Sequence, residues 1–338
     1  MTVKVDAPLV ATDLPGIPER ARRIEAEGYD GAFTFEGPHD PFLPLVLAAE
    51  HTSRVDLITA IAIAFARSPA TLASVGWDLQ QLSGGRAVVG LGSQIRPHIE
   101  KRFSMPWSAP AARMRELVLA MRAFWTTWQD GTPLRFEGEH YRHTLMTPFF
   151  SPPPSEHPPP RVFLAGVGPG MTAVAGEVAD GFLVHPFSSP RYLREHTLPA
   201  LERGFGVRGG RPDTFELAWP VMIATGETDA DREAAEGATR AQIAFYGSTP
   251  AYRPVLDAHG RGDLQPELNR LSKQGDWAQM ATLVDDDLFD AIAVRGAPAD
   301  AGREVRRRTE GLVERVALNA PYAARSRVWN EVLDALRD

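Results

Sequence analysis

Five short clusters of polar residues and glycine carry the side chains and the backbone freedom from which redox or transfer chemistry is built. Glu36 closes an apolar stretch and is followed closely by His39 and Asp40. Partial burial at such a position raises a carboxyl pKa, fitting it for acid/base work or for hydrogen bonding to a polar ring. An imidazole can do the same near neutral pH, which makes His39 a second candidate, although both residues would equally suit a helix cap or a loop anchor. In Gly90-Leu91-Gly92-Ser93-Gln94, with His98 in the same loop, small residues let a flat ligand or a phosphate arm approach the backbone, while Ser93 and Gln94 offer hydrogen bonds. A structural turn accounts for those glycines as well. Gly166-Val167-Gly168-Pro169-Gly170 stands between an apolar run and a helical pattern, so free N–H groups and the helix dipole would cradle a phosphate. It lacks the dinucleotide-binding spacing, and the alternative is a tight strand-to-helix turn that needs glycine. The remaining clusters are Phe65-Ala66-Arg67-Ser68-Pro69 and His185-Pro186.

Other chemistries find no support. The chain has 9 histidines, but none makes the two-histidine helical pair of zinc hydrolases, and His140 and His143, three apart in a predicted strand, would face opposite sides. No metal is expected. There is no Gly-x-Ser-x-Gly elbow, and with 0 cysteines there are no disulfides, iron–sulfur clusters or thiolate nucleophiles.

The elements that must position these clusters follow from apolar periodicity. Short apolar runs at residues 3–5, 31–35, 57–64, 87–91, 162–165, 181–184, 217–224 and 315–318 alternate with helical patterns, the signature of parallel βα units. Gly28 stands at the expected end of a helix over 15–27, and Ser68-Pro69 opens one that closes at Gly84-Gly85. Over 111–128 the spacing of Met114, Leu117, Val118, Met121, Trp125 and Trp128 predicts a long helix with one docked face. Residues 129–160 read as an inserted hairpin followed by a stiff Pro-rich connection, and 229–297 as a helical insertion before the last helices, over 298–312 and 326–336. Eight strands each trailed by helix predict a single (β/α)8 TIM barrel over 1–338, with function at the C-terminal strand ends.

Composition narrows the partners. A net charge of -7 offers no broad basic surface, so neither nucleic acid nor anionic lipid is an expected partner. The N-terminal residues Met1-Thr2-Val3-Lys4-Val5 have no basic-then-apolar leader, and no stretch is long enough to span a bilayer, so a cytoplasmic protein with a small-molecule substrate is expected.

Three runs carry a resemblance. Gly28-Tyr29-Asp30-Gly31-Ala32-Phe33-Thr34-Phe35-Glu36, Thr59-Ala60-Ile61-Ala62-Ile63-Ala64-Phe65-Ala66-Arg67-Ser68-Pro69, and Leu82-Ser83-Gly84-Gly85-Arg86-Ala87-Val88-Val89-Gly90-Leu91-Gly92-Ser93 resemble the luciferase-like flavin-dependent oxidoreductases. The likeness extends through Ala112-Arg113-Met114-Arg115-Glu116 and the Gly166 loop, and within that superfamily it points to the actinobacterial branch that uses coenzyme F420. The resemblance implies a luciferase-like TIM barrel and a cofactor across its mouth. The ring would lie near Glu36, Ala64 and Phe65, the tail on Gly92, Ser93, Gln94 and His98 and on Gly166, Val167, Gly168 and Gly170, with His185 on the same rim. It further implies a non-proline cis peptide after the third strand, matched here to Ala64-Phe65. Gly37 follows the acid where some members have a catalytic histidine, leaving His39 as the candidate substitute beside Glu36. The activity implied is hydride transfer between deazaflavin C5 and a small organic molecule. An FMN-dependent monooxygenase and a non-catalytic flavin-binding protein are the alternatives, and a homodimer is expected from the family.

Overall fold

The computed structural model describes residues 3–10 and 13–338, so Met1 and Thr2 of the N-terminal segment read above lie outside the described residues. Its strands are β1 (Lys4–Pro8), β2 (Gly31–Thr34), β3 (Asp56–Thr59), β4 (Ala62–Ile63), β5 (Ala87–Gly92), β6 (Phe136–Glu137), β7 (Arg142–His143), β8 (Arg161–Ala165), β9 (Gly181–Leu183), β10 (Glu216–Thr225), β11 (Ala293–Gly296) and β12 (Arg315–Asn319). The expected architecture holds: β1, β2, β3, β5, β8, β9, β10 and β12 are the eight parallel strands of a (β/α)8 barrel, with β4 continuing β3 and β11 added alongside β10. The chain divides into two compact units, Asp6–Leu183 with Ala200–Glu216, and Val184–Pro199 with Leu217–Asp338 and the N-terminal residues up to Val5.

In the first unit the parallel pairing runs from β2 through β3, β5 and β8 to β9, in registers such as Gly31↔Asp56, Leu57↔Ala87, Val88↔Arg161 and Phe163↔Gly181. All six residues of β5 are buried, as expected of a strand covered on both faces. The apolar run 57–64 does not form one strand. It is divided by a bend after Thr59, and a cis bond joins Ala60 and Ile61 before β4 resumes the pairing with β5 at Ala62↔Leu91. At the bend the Thr59 hydroxyl takes over the ladder, accepting from the Gly90 N–H at 2.9 Å and donating to the Gly90 carbonyl at 2.8 Å. Glycine is obligatory there, because a Cβ on residue 90 would lie 1.8 Å from the Thr59 carbonyl oxygen. Apolarity alone does not reveal such a break, since both halves are equally hydrophobic.

Helix boundaries follow the sequence signals. Gly28 is left-handed, with φ 86°, after the helix Ile17–Ala26. The helix Pro69–Ser83 begins with a reciprocal Ser68–Thr71 capping box and ends at left-handed Gly84. Pro110–Asp130 buries Met114, Leu117, Val118, Met121, Trp125 and Trp128, and the Trp125 indole N–H donates to the Ala73 carbonyl at 3.0 Å. The predicted hairpin is the antiparallel pair β6 and β7, and the Glu116 carboxylate pins its turn by accepting from the N–H groups of Glu139, His140 and Tyr141.

In the second unit β10 pairs in parallel with β12 through its first half and with β11 through its second, at Ala218↔Arg315 and Met222↔Ala293. The segment 229–297 is helical as expected except for β11, a run too short to stand out from the helical pattern. Its helices, Asp229–Gly247 the longest, close over an apolar cluster that includes Phe187, Met222, Ile243, Leu256, Leu268 and Phe289. No helix among the described residues is long and apolar enough to cross a membrane.

Candidate functional site

Parallel neighbours put the C-terminal ends of β2, β4, β5 and β8 along one edge of the first unit's sheet, and four of the five sequence clusters follow those ends. The loop after β2 is closed at its base by the Thr34 hydroxyl, which donates to the Pro41 carbonyl at 2.7 Å. Glu36 turns back onto the bent third strand: its N–H donates to the Ile61 carbonyl at 3.0 Å, and its Oε2 accepts from the Ile63 N–H at 2.7 Å. The same oxygen accepts from Arg67 Nη1 at 2.6 Å, while Arg67 Nη2 reaches Asp40 at 2.8 Å. Only 7% of the Glu36 side chain and 19% of the Arg67 side chain are exposed. Burial by itself pulls the Arg67 pKa down, but hydrogen bonds to Glu36 and Asp40 outweigh it and hold the guanidinium above its ordinary value. Glu36, the candidate for acid/base work, is thus engaged by both a backbone N–H and a guanidinium. The carboxylate faces a fixed cation supplied from 31 positions further along the chain, and it acts as a positioning group for the Ile61–Ile63 backbone. His39 is exposed at the loop tip, and its ring has no hydrogen-bond partner among the described residues.

The non-proline cis bond is Ala60-Ile61, not Ala64-Phe65. The third strand ends at Thr59, so the backbone that reaches the sheet edge is that of Ala60 and Ile61, both partly exposed. Ala64 and Phe65 are each 0% exposed and offer no surface to a ligand. The Phe65 ring packs edge-on against Trp107 at 5.8 Å and under the Arg113 guanidinium at 4.5 Å. Arg113 is itself buried, donating to the Pro106 carbonyl at 2.6 Å and the Tyr141 hydroxyl at 2.9 Å.

After β5 the glycine at 92 is set by packing, since a Cβ there would meet Ile61 Cδ1 at 2.9 Å. Gln94 is left-handed at φ 57°, a conformation that costs a non-glycine residue about 1–2 kcal/mol. Its side chain accepts from the Ile95 N–H at 3.0 Å, and the Ser93 hydroxyl donates to the Gln94 carbonyl at 3.1 Å. His98 is exposed at the start of the turn His98–Arg102, and the Arg102 guanidinium donates to the Gly37 carbonyl at 3.1 Å. The structure thereby brings the Glu36 loop, the cis segment and the Ser93–His98 loop together.

The glycines after β8 fall into two kinds. At Gly166 a Cβ would collide with Met171 Cγ at 2.6 Å, so the turn itself requires glycine. Gly168 is different: its backbone is ordinary extended chain, φ -89° and ψ 156°, and a Cβ on it meets nothing within 4 Å. A Cβ on Gly170 would touch only Ala111, at 3.9 Å. Neither fold nor conformation requires glycine at 168. It precedes the helix Pro169–Val178, whose first turn has no side-chain cap, so first-turn N–H groups point outward unpaired by the helix. This arrangement suits an anionic group that needs to come close to the backbone.

His185 belongs to the second unit. Its Nδ1 accepts from the Phe187 N–H at 3.1 Å, which leaves the ring proton on Nε2. The ring lies 4.3 Å from that of Tyr252 and 4.7 Å from that of Tyr246, and burial depresses its pKa to about 4. Burial also raises the pKa of Tyr246, and that of Tyr252 to about 12.

Arg67 entered the sequence reading only as part of the Phe65–Pro69 cluster, and Tyr246 and Tyr252 were not singled out. Arg67 stands directly before the Ser68 cap, where a charged residue reads as solvated surface; only the pairing of β2 with β3 sets it opposite Glu36. The tyrosines flank Gly247-Ser248-Thr249-Pro250, inside a stretch whose small and polar residues suggest a mobile loop.

Comparison with known proteins bears on family and fold. Residues 2–315 match the profile of a family described as luciferase-like monooxygenase. The chain is 58% identical over 298 residues to the uncharacterized protein Rv1360 of Mycobacterium tuberculosis, covering 88% of each. It is 28% identical to the 5,10-methylenetetrahydromethanopterin reductase of Archaeoglobus fulgidus, over 82% of this chain and 80% of that one. The coenzyme F420 dependent tetrahydromethanopterin reductase of Methanopyrus kandleri superposes with a TM-score of 0.80 at 21% identity, covering 100% of this chain and 98% of the other, which establishes a common fold.

Proposed function

The chain belongs to the luciferase-like monooxygenase family, and we propose that within it this protein is an F420-dependent oxidoreductase acting on a small organic substrate. The observation that carries the reading is Gly168, a glycine that the fold does not need, set at an uncapped helix N-terminus after β8. A side chain there would fill the space through which an anionic tail approaches the first-turn N–H groups. The F420 dependence named for the Methanopyrus kandleri reductase supports the choice of cofactor.

When bound, the deazaflavin supplies the carbon that accepts or donates hydride. The chain supplies the rest. The Gly166–Gly170 turn holds the tail, and Ser93 and the left-handed Gln94 offer polar groups beside it. The Glu36–Arg67–Asp40 ion network holds the backbone at Ile63, next to the Ala60-Ile61 segment against which the ring would rest. His39, whose ring nitrogens are uncommitted, holds or moves the proton.

Fluorescence titration of the purified protein with oxidised F420 and, separately, with FMN tests this reading. Micromolar or tighter binding of F420 with no comparable binding of FMN is the expected result. Tight binding of FMN alone would replace the proposal with an FMN-dependent monooxygenase, and binding of neither would end the cofactor assignment.

A further inference from the structure

His185 follows the end of β9 by two residues, and Tyr246 and Tyr252 lie in the segment after β10. His185 therefore stands just past a C-terminal strand end, where barrels of this type carry their chemistry, and the two tyrosines pack on it. Within the second unit they form one aromatic group: the His185 ring is tilted 30° to Tyr252 and edge-on to Tyr246, at 81°, with Phe187 at 6.2 Å from both tyrosines.

The polar atoms of this group have a common character. Because Nδ1 of His185 is occupied by the Phe187 N–H, its other nitrogen is a donor. The Tyr246 oxygen accepts from Gln242 Nε2 at 3.1 Å, so its own hydrogen is directed elsewhere. Among the described residues neither the Tyr252 hydroxyl nor His185 Nε2 has a protein hydrogen-bond partner, and neither atom is fully buried. The other end of the Gln242 amide, Oε1, is buried without a partner.

Among the described residues, no ionised side chain is a cause of the shifts in these three groups. Burial alone moves His185; burial and the Gln242 hydrogen bond move Tyr246; burial and Tyr246 move Tyr252. All three remain neutral across the physiological range, and each can donate a proton to a hydrogen bond. A cluster without a cation gives little to a phosphate or carboxylate, whose desolvation would go uncompensated. It suits an uncharged oxygen acceptor attached to an apolar body that packs on the rings.

The geometry points to His185, Tyr246 and Tyr252 as a hydrogen-bond donor site for a small neutral carbonyl compound or the corresponding alcohol, and not for a phosphorylated or carboxylated one. Calling that ligand the substrate rests on the oxidoreductase reading above; the site itself does not.

The test uses the full chain without added cofactor and a matched pair of probes, acetophenone and benzoate, whose binding is followed by saturation-transfer NMR titration. The neutral probe binds and the anion does not. Tyr252→Phe and His185→Phe, each of which keeps the ring packing and removes a donor, weaken acetophenone binding by roughly 3- to 10-fold with near-UV circular dichroism unchanged. Benzoate binding as tightly as acetophenone overturns the proposal. So does the absence of binding by both, or acetophenone binding that both variants leave unaltered. If either variant fails to fold, Tyr246→Phe with Gln242→Leu removes the third donor and its partner together, and the same loss is expected. Failure of the F420 titration would leave this result standing, and the converse holds.

Discussion

Replacing Arg67 by methionine removes a cation while keeping most of the side chain's length, and the consequence can be worked from the contacts it makes. Glu36, 7% exposed, would keep one hydrogen bond, from the Ile63 N–H, and lose the guanidinium at 2.6 Å. Breaking a largely buried ion pair by deleting one partner costs about 3 kcal/mol, because the remaining charge stays desolvated. An unfolding entropy of about 2.1 cal/mol/K per residue gives roughly 0.7 kcal/mol/K for a chain of this length, so Tm should fall by about 4 °C. Asp40→Asn is the internal control: that carboxylate is 40% exposed, its ion pair is worth about 0–1 kcal/mol, and Tm should move by less than about 1.5 °C. In the double variant Glu36→Gln with Arg67→Met the buried charge is gone, and the loss should be smaller than for Arg67→Met alone. Differential scanning calorimetry reads all three. An Arg67→Met protein melting within 1 °C of the parent, or no lower than Asp40→Asn, would refute the claim that this network holds the third-strand segment.

Further expectations follow from other parts of the molecule. Gly90→Ala puts a Cβ 1.8 Å from the Thr59 carbonyl oxygen and should cost about 4 kcal/mol or more, seen as a drop in Tm beyond about 5 °C or as insoluble protein, whereas Gly168→Ala, with nothing within 4 Å, should melt within about 1 °C of the parent. Burial opposes ionisation of Glu116, but three backbone N–H groups overcome it and set its pKa below the ordinary 4.5, so its hold on the hairpin is complete above that value and is lost as pH falls towards the folded pKa. Protection factors of the Glu139, His140 and Tyr141 amides, taken against the intrinsic exchange rate at each pH, should therefore fall on acidification below about pH 4.5, and Glu116→Gln should abolish that dependence. Because burial depresses His185 from 6.5 to about 4, the unfolded chain binds its proton first, and stability should decline as pH falls from about 7 to 4, by at most about 3 kcal/mol. His185→Phe should flatten the Tm-versus-pH curve over that interval; a parallel curve would show that the ring is not the group responsible.

The barrel was legible because its punctuation is local. Ser68 with Pro69, and the left-handed glycines at 28 and 84, mark helix ends through capping and φ alone, and the 3.6-residue spacing from Met114 to Trp128 needs no tertiary knowledge. What escaped depends on partners distant in sequence. The division of 57–64 is set by a threonine hydroxyl bonding to Gly90, and Glu36 finds Arg67 only when the two strands pair. The glycines illustrate the same limit: 90, 92, 166 and 168 look alike in the sequence, yet three are demanded by atoms within 3 Å and one is not. The cis bond moved from Ala64-Phe65 to Ala60-Ile61 for a related reason, since the strand end that fixes its position was itself misplaced. His185 was legible as a residue after a strand; its tyrosine partners were not, because they come from the helical segment beyond β10.

The central claim is that the Gly166–Gly170 turn holds the anionic tail of a deazaflavin, and one comparison addresses it directly: F420 affinity of the parent and of Gly168→Val by fluorescence titration, with Tm measured on the same samples. The account predicts micromolar or tighter binding by the parent and at least a tenfold loss in the variant at a Tm within about 2 °C, because valine suits extended backbone and its Cβ meets no atom within 4 Å there. Equal affinity in the two proteins would contradict it.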